Sequence, residues 1–247
     1  MIYYRYENLD QMFGLGRGEC GILPLNVFAK HPELAKKYGK QLLCEIPPEI
    51  YPGDEEKVFS ELSGLKAAGL TDVYCENLGA FFFARELGLK IHGGMFLNIT
   101  NSASFAEYEK LGASSLVCSF ETELSKIRQI QHKVPLGVLA YGYIPAMRMR
   151  VCPLRGKEGC GKCNAKRSLV DRTGRKFKVL CKEKAESWVL NSVPLYAGDK
   201  GIDFADDKLF YFTVENKNDA KAIADIYKNG ETPKFARTAG LYFRELL

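Results

Sequence analysis

The sequence predicts an α/β protein, with a partial or complete TIM-like (β/α) barrel followed by a cysteine-rich segment and a small antiparallel β region. Three observations lead to this prediction. Short apolar segments alternate with helical patterns up to residue 145, four cysteines then cluster within thirty residues, and hairpin patterns begin at residue 168. We therefore expect a barrel-like domain over residues 1–147, and a cysteine cluster segment with a β-rich C-terminal region over residues 148–247.

The first region contains six segments that have the character of buried parallel strands. They are short and apolar without clean alternation, which is typical of strands covered on both faces. Helical patterns separate them, so that each βα unit takes roughly 22 to 30 residues, as in a (β/α) barrel. The predicted strands are residues 21–25, 41–46, 72–76, 90–96, 114–120 and 136–141, and the predicted helices are residues 54–68, 78–87, 102–111 and 123–132.

The pattern changes after Pro145, and antiparallel strands are expected over residues 168–215. Thr173 and Gly174 stand at a hairpin turn between two β-strand patterns. No linker rich in Ser, Gly or Pro separates the two regions, so the cysteine segment is expected to pack against the barrel. The predicted elements are a hairpin over 168–180, strands over 187–195 and 208–214, and a helix over 218–228.

Four cysteines cluster with the spacing C-x7-C-x2-C-x17-C: Cys152, Cys160, Cys163 and Cys181. A C-x2-C pair lets two thiolates of one tight turn bind the same metal, and the two outer cysteines would complete four-coordination. The pattern therefore predicts a metal or iron–sulfur site. The spacing leaves the metal open, because four thiolates suit zinc and iron–sulfur clusters alike, while structural zinc sites most often use two such pairs.

The other four cysteines are expected to pack as small apolar side chains, since most of them lie in apolar strand-like segments. They are Cys20, Cys44, Cys75 and Cys118. A disulfide framework is the alternative. The N-terminus, however, has no apolar segment with a cleavage site, and no run of 18 or more apolar residues occurs. We therefore expect a cytoplasmic chain with reduced thiols that does not span a membrane.

Positive charge concentrates around the cysteines. Between Arg148 and Lys184 there are 13 Lys or Arg and three acidic residues, a local charge of +10 in a chain whose net charge is +5. Such a contrast favours contact with a polyanion. The alternative is a solvated loop whose charges also offset the thiolates.

Side chains that follow the C-terminal ends of barrel strands are the first candidates for function. They include Glu45, Glu76, Asn98, Asn101 and Tyr143. The two amides could fix a polar ligand, although Asn101 could equally cap a helix while Asn98 shapes a turn. Because the sequence contains no nucleophile motif and no H-E-x-x-H, it does not indicate a conventional hydrolase.

Several short strings together carry a resemblance to a known family. They are Leu97-Asn98-Ile99-Thr100-Asn101-Ser102, Ser119-Phe120-Glu121-Thr122-Glu123-Leu124, Tyr141-Gly142-Tyr143-Ile144-Pro145-Ala146-Met147, the four clustered cysteines, Leu169-Val170-Asp171-Arg172, Asn191-Ser192 and Thr238-Ala239-Gly240-Leu241-Tyr242-Phe243-Arg244. With these strings the chain resembles the later part of long bacterial members of the peptidase U32 family, the collagenase-like proteases. The resemblance covers roughly residues 20–245 and is most specific at the cysteines.

The resemblance implies a cofactor and a reaction. Characterised relatives carry a 4Fe–4S cluster on four cysteines, which correspond here to Cys152, Cys160, Cys163 and Cys181, and this favours iron–sulfur over zinc. Relatives act in oxygen-independent hydroxylation of tRNA uridines, of a ribosomal RNA cytidine or of the ubiquinone ring, the last as a heterodimer. Prephenate is implicated as the oxygen source for some of them.

The resemblance therefore implies an enzyme, an iron–sulfur protein that supports oxygen-independent hydroxylation of tRNA or rRNA bases. A small carboxylic acid such as prephenate would be bound by Asn98, Asn101, Tyr143, Arg148 and Arg150. RNA phosphates would contact Arg172, Arg175, Lys176 and Lys178. Two alternatives are a peptidase acting on collagen-like or other peptides, and a zinc-stapled RNA-binding or scaffold module.

The sequence departs from the family pattern in three respects. Long members carry a further N-terminal barrel ahead of this region, so we expect either a stand-alone half or a fragment that needs a partner subunit to supply the missing N-terminal half. Six strands are predicted where a complete barrel has eight. The usual Ser-Pro-Glu-Leu becomes a string that begins at Ser119 and ends at Leu124, which puts a role for that turn in doubt.

Overall fold

The structure, a computed structural model, describes residues 1–155, 168–182 and 186–243. These residues form thirteen strands, numbered here in chain order. The strands are β1 Ile2–Tyr6, β2 Glu19–Pro24, β3 Leu42–Glu45, β4 Asp72–Cys75, β5 Lys90–Gly93, β6 Ala113–Val117, β7 Leu136–Gly142, β8 Pro145–Met149, β9 Ser168–Val170, β10 Lys176–Cys181, β11 Ser187–Leu190, β12 Leu195–Tyr196 and β13 Asp207–Phe212.

Eight of these strands close into a parallel barrel. Their order around the barrel is β1, β2, β3, β4, β5, β6, β7 and β13, and β13 pairs with β1 to complete the ring. Every pairing in the ring is parallel. The predicted TIM-like α/β fold is confirmed, and the six strands expected from the sequence correspond to β2 through β7.

The connections between barrel strands carry the helices, as a (β/α) barrel requires. Helix α4 (Leu78–Glu86) begins directly after Asn77, whose side chain accepts a hydrogen bond from the Ala80 amide. Among the predicted helices, the one expected over residues 123–132 is a single turn in the structure. The seven α-helices of the described residues are α1 Leu25–Lys30, α2 Glu33–Tyr38, α3 Glu55–Ala67, α4 Leu78–Glu86, α5 Ser102–Lys110, α6 Leu124–Ile127 and α7 Lys217–Lys228. None of the helices in these described ranges has the length and apolar character needed to cross a membrane.

Of the barrel strands, β1 was not expected from the sequence, and β13 was expected as a strand of the antiparallel region. β1 contains a buried arginine, Arg5, among its tyrosines, so it lacks the apolar run that marks the other strands. β13 lies in the segment predicted to be antiparallel, and that prediction is wrong for β13, because it pairs in parallel with both β1 and β7. The C-terminal region of residues 148–247 therefore contributes the eighth strand of the barrel.

Strands β9, β10 and β11 of the predicted antiparallel region, together with β8, form a separate sheet inserted between the seventh and eighth barrel strands. Its strand order is β8, β11, β10, β9, and all of its pairings are antiparallel. The hairpin between β9 and β10 turns at Thr173 and Gly174 as predicted, with Gly174 in the left-handed region at φ 82°. Asp171 holds this turn, because its Oδ1 accepts hydrogen bonds from the amides of Thr173 and Arg175.

Aromatic side chains pack on the outer face of β1 and β13. The rings of Tyr4, Phe210 and Phe212 lie within 6.3 Å of one another, and Tyr227 of α7 covers Phe210 at 5.1 Å between ring centroids. Alternate residues of both strands face the other way, into the barrel. β13 is thus part of the main hydrophobic core.

We expect Phe210→Ala to lower the free energy of unfolding by about 3–5 kcal/mol, because it removes a fully buried ring from the seam that closes the barrel. Chemical denaturation measures this loss. Phe82→Ala on α4 is the matched control, since Phe82 is 54% exposed, and its effect should stay within about 0.5 kcal/mol. Equal effects of the two substitutions would contradict the placement of β13 in the core.

Candidate functional site

A cavity of about 570 Å³ lies at the C-terminal mouth of the barrel. Its barrel wall contains residues at or just after strand ends, such as Glu7 after β1, Glu45 at the end of β3 and Thr213 after β13. The opposite wall comes from the antiparallel sheet, which contributes Cys181 and Trp188. The cavity therefore lies between the barrel and the inserted sheet, at the end where barrel enzymes place their active sites.

A fully buried arginine forms the centre of the barrel mouth. Arg5 Nε donates to Glu45 Oε2 at 2.9 Å, and its Nη2 contacts the second oxygen of the same carboxylate. Arg5 Nη1 donates to Glu76 Oε1 at 3.2 Å, and the ring of Tyr211 stacks 4.1 Å from the guanidinium carbon. Because β3 and β4 are not neighbours of β1, these contacts cross the interior of the barrel.

The charges of this group do not balance. One guanidinium faces two buried carboxylates, so the group carries a net charge of −1 when both are ionised. Burial raises the pKa of Glu76 to about 7, against the lowering effect of Arg5, and the Glu45 carboxylate raises it further. One proton is therefore bound and released near neutral pH.

A glycine makes room for the Glu76 carboxylate. A Cβ at Gly94 would lie 2.4 Å from the carboxyl carbon of Glu76 and 2.7 Å from the ring of Tyr74, so no larger residue fits there. Glu76 Oε2 also accepts a hydrogen bond of 2.7 Å from the Phe96 amide. Gly94 thus allows the backbone after β5 to pack onto the carboxylate.

Cation–aromatic contacts fasten the inserted sheet to the barrel. The Arg148 guanidinium lies 3.8 Å from the Phe96 ring and 4.2 Å from the Trp188 ring, and it pairs with Glu49. Lys182 Nζ also lies 4.2 Å from the Trp188 ring, and it pairs with Glu7. Such stacked, partly desolvated cations contribute on the order of 1–2 kcal/mol each.

Of the two arginines expected to hold a carboxylic acid, only Arg150 lines the cavity. Its guanidinium lies 4.4 Å from the ring of Tyr51, and among the described residues it has no carboxylate within ion-pair distance. Arg148 instead contacts Phe96, Trp188 and Glu49, as described above.

The other predicted ligand residues lie away from the cavity. Asn98 is exposed and adopts the left-handed conformation at the end of a short 3-10 helix, with φ 54°. Asn101 is the N-cap of α5, and its side chain accepts a hydrogen bond of 2.9 Å from the Ser104 amide. Tyr143 contacts Lys178, whose Nζ lies 3.3 Å from the phenol oxygen. Their role in ligand binding stays a prediction.

The two described cysteines of the cluster lie at one end of the inserted sheet. Ser187 of β11 is in register with Met149 of β8 on one side and with Cys181 of β10 on the other. The Ser187 hydroxyl also donates to the carbonyl of Val151, the residue before Cys152, at 3.2 Å. Neighbouring strands are about 4.8 Å apart, so the chain carries both cysteines to the same corner of the sheet.

The four-cysteine site itself stays a prediction, since Cys160 and Cys163 lie outside the described residues. Within the described ranges, no group of three or more His, Cys, Asp or Glu side chains is arranged to hold a metal ion. The packing role predicted for the remaining cysteines agrees with their burial. All four are buried: Cys20, Cys44, Cys75 and Cys118.

The predicted RNA-contacting side chains are exposed on the β9–β10 hairpin. They are Arg172, Arg175, Lys176 and Lys178. The hairpin forms the edge of the inserted sheet.

A second polar group lies inside the barrel near the N-terminal ends of its strands. His92 Nδ1 lies 2.8 Å from Ser115 Oγ, and His92 Nε2 lies 2.9 Å from Asp72 Oδ1. The sequence gives no sign that these residues meet, because each comes from a different strand. All three are buried, so the group satisfies polar atoms inside the barrel.

Comparison with known proteins identifies the family. The family model described as Peptidase family U32 matches residues 13–168, more than half of the chain. The chain belongs to peptidase family U32.

A relative and a solved structure add to this comparison. Over 134 residues the chain is 28% identical to the Uncharacterized protease MJ0090 of Methanocaldococcus jannaschii, an alignment that covers 49% of this chain and 32% of the relative. The chain thus spans about a third of that curated relative's length. The solved structure of the U32 peptidase Mk0906 superposes with a TM-score of 0.47 at 13% identity, covering 87% of this chain and 94% of that one.

We expect Arg5→Met to lower the free energy of unfolding by about 3–5 kcal/mol at pH 8, because it leaves two buried carboxylates without their counter-ion. The loss should be smaller at pH 5. Without Arg5 the folded state raises the pKa of both carboxyls above their unfolded values, so it binds more protons than the unfolded state and its stability falls as pH rises.

Denaturation of the wild type and the variant at both pH values checks this prediction. Arg85→Met is the control, since Arg85 is exposed on α4. An Arg5 variant whose loss is the same at pH 5 and pH 8 would contradict the charge balance described for this group.

Proposed function

We propose that this U32-family chain is an iron–sulfur protein that supports oxygen-independent hydroxylation of RNA bases. The observation that carries the proposal is the position of Cys181. This predicted cluster ligand lies in the wall of the cavity that also contains Glu45 and Arg150. A cluster bound there would adjoin the space in which a small ligand can bind.

The positions of the two described cysteines are compatible with an iron–sulfur cluster. Cys152 and Cys181 lie at the same corner of the inserted sheet, and thiolates are the ligands that iron–sulfur clusters use. With Cys160 and Cys163 they would hold a 4Fe–4S cluster. When bound, the cluster supplies one-electron chemistry, and hydrogen bonds and burial around its sulfurs tune the potential.

The cavity suits a small carboxylic acid such as prephenate. Its volume falls within the range of ligand sites, and Arg150 can bind a carboxylate. Tyr51 offers aromatic surface to the ring of such a ligand. The acid would thus lie between the cysteine corner and the barrel mouth.

RNA is the proposed macromolecular substrate because the exposed hairpin carries four cations. Side chains of this kind bind phosphates without reading sequence, and they position RNA relative to the cavity.

A peptidase is the second candidate, and the chain of Ser115, His92 and Asp72 is the observation that favours it. A hydroxyl, an imidazole and a carboxylate in series are the parts of a serine nucleophile. The serine is only 6% exposed, however, and it lies far from the carboxyl ends of the strands. The geometry therefore supports this candidate less well.

We expect protein purified without oxygen to be brown and to contain about four iron and four sulfide per chain, as a 4Fe–4S cluster requires. Cys181→Ser should lose most of the iron, while Cys118→Ser, at a buried position in an apolar segment, should retain it. Elemental analysis and absorption spectra measure both outcomes. Colourless protein that contains zinc would instead support the scaffold module.

We also expect RNA incubated anaerobically with the protein, a reductant and prephenate to gain one oxygen atom on a pyrimidine, measured by mass spectrometry of nucleosides. Neutralising the hairpin cations with glutamine should weaken RNA binding. It should also reduce the slope of log affinity against log salt by about 3, since each phosphate contact on single-stranded RNA contributes about 0.7.

The matched control neutralises four exposed lysines near α1 and α2, and it should leave the salt slope unchanged. These are Lys30, Lys36, Lys37 and Lys40. Equal effects of the two sets would mean that net charge, and not the hairpin, binds RNA. Cleavage of gelatin without base hydroxylation would move the assignment to the peptidase.

A further inference from the structure

The seam between β6 and β7 closes only part of the length of β7. The two strands align at two residue pairs, the second of which joins Val117 to Gly137. After β6 the chain turns away, and the Ser119 amide donates to the Ile99 carbonyl. β7 itself continues to Gly142, so the half of β7 nearer the barrel mouth lacks β6 as a neighbour on that edge.

A tyrosine side chain takes the place of the missing strand. The Leu139 amide donates to the Tyr242 phenol oxygen at 3.0 Å, and the same phenol donates to the Leu139 carbonyl at 3.0 Å. Residues two apart in a parallel strand bond to the same neighbour, so Leu139 points to the edge at which Gly137 meets β6. Tyr242 is completely buried, and its phenol satisfies two backbone groups that would otherwise have no partner there.

The segment of residues 238–242 also holds β12 against the end of β7. The Thr238 amide donates to the Pro194 carbonyl, and the Thr238 carbonyl accepts from the Tyr196 amide, both at 3.0 Å. Gly240 adopts the left-handed region at φ 61°, where a Cβ would lie 2.8 Å from Leu195 Cδ1. β12 in turn pairs with the last residues of β7, so the segment and β12 together complete the edge that β6 leaves.

β12 is also the strand by which the chain leaves the inserted sheet. It begins at Leu195, and β11 ends at Leu190. The sheet rests on the barrel mouth through Trp188, with Arg148 and Lys182 on its ring, and both cations pair with carboxylates of the barrel. Interfaces that depend on such polar contacts permit relative motion. A segment that fixes β12 therefore fixes one of the two connections between the sheet and the barrel.

We propose that residues 238–242 form a latch that holds the inserted sheet over the cavity, and that release of this latch opens the cavity. In the closed state, Tyr242 bonds to β7 and Thr238 bonds to β12. In the released state, water takes the edge of β7, β12 loses its partner, and the sheet moves away from the barrel mouth. The latch controls access to the cavity and holds for any reaction that the cavity supports.

Hydroxyl-radical footprinting of the full chain, read by mass spectrometry, tests the latch. Trp188 is completely buried and is the only tryptophan of the sequence, so its oxidation reports exposure of the sheet's contact with the barrel. Tyr242→Phe leaves the amide and the carbonyl of Leu139 unpaired. We expect the oxidation rate of Trp188 to rise about tenfold, because loss of a buried hydrogen bond shifts a local opening equilibrium by about this factor.

Two controls separate release of the latch from general loosening. Tyr4, completely buried on the outer face of β1, should keep its oxidation rate in every variant. Tyr108→Phe removes a hydroxyl that lies 3.5 Å from the Leu97 carbonyl, away from β7, and should leave Trp188 unchanged. Gly240→Ala is a second latch variant, strained at its positive φ, and should raise the Trp188 rate as Tyr242→Phe does.

Hydrogen exchange of the Leu139 amide, measured on the same preparations, completes the test. Faster exchange at Leu139 together with faster oxidation of Trp188 supports the latch. Faster exchange with an unchanged Trp188 would overturn it, because the segment would then close the seam without holding the sheet. Equal increases at Trp188 and Tyr4 would also overturn it. Iron content, measured in parallel, reports separately on the proposed function.

Discussion

The ion pairs of Arg5 constrain the whole upper half of the barrel. A guanidinium that is completely buried must be matched by acceptors, since an unpaired charge there would cost several kcal/mol. Glu45 and Glu76 supply these acceptors from β3 and from the end of β4, and the ring of Tyr211 of β13 stacks on the guanidinium. One side chain thereby connects four strands of the barrel.

The demands of this group extend to its surroundings. The Glu76 carboxylate leaves no room for a side chain at position 94, so a glycine is required there. Gly94 in turn lets the backbone after β5 pass close to the carboxylate. Phe96, two residues later, then provides the surface on which Arg148 stacks, and Arg148 in turn supports Trp188. The position of the inserted sheet over the barrel mouth is thus linked to the buried charge through a continuous series of contacts.

The sequence predicted the elements whose signals are local. Apolar runs marked β2 through β7, and Thr173-Gly174 marked the hairpin. β1 was not predicted as a strand, because an arginine interrupts its apolar residues. The partners that compensate this buried charge lie far along the chain, where local sequence patterns do not reveal them. β13 was assigned to the wrong kind of sheet, because a short apolar run does not show whether its neighbours are parallel or antiparallel.

Within the site, the expectation that functional side chains follow the C-terminal ends of barrel strands identified Glu45 and Glu76. It did not identify Arg5, which pairs with both of them. Asn98 and Asn101 also follow a strand, but Asn98 shapes a turn and Asn101 caps a helix.

The closure of the ring by β13 has a consequence for how the chain acquires its structure. β1 and β13 pair although about two hundred residues separate them, and the inserted sheet lies between β7 and its partner β13. Until β13 is in place, an open sheet of seven strands presents unpaired edges at β1 and β7, and such edges invite association with other chains. The pairing of β1 with β13 also has the largest loop-closure cost of the barrel, because these strands are the farthest apart in the chain. During synthesis β1 through β7 are complete before β13 is made, so the length of the insertion adds to the time before the barrel can close.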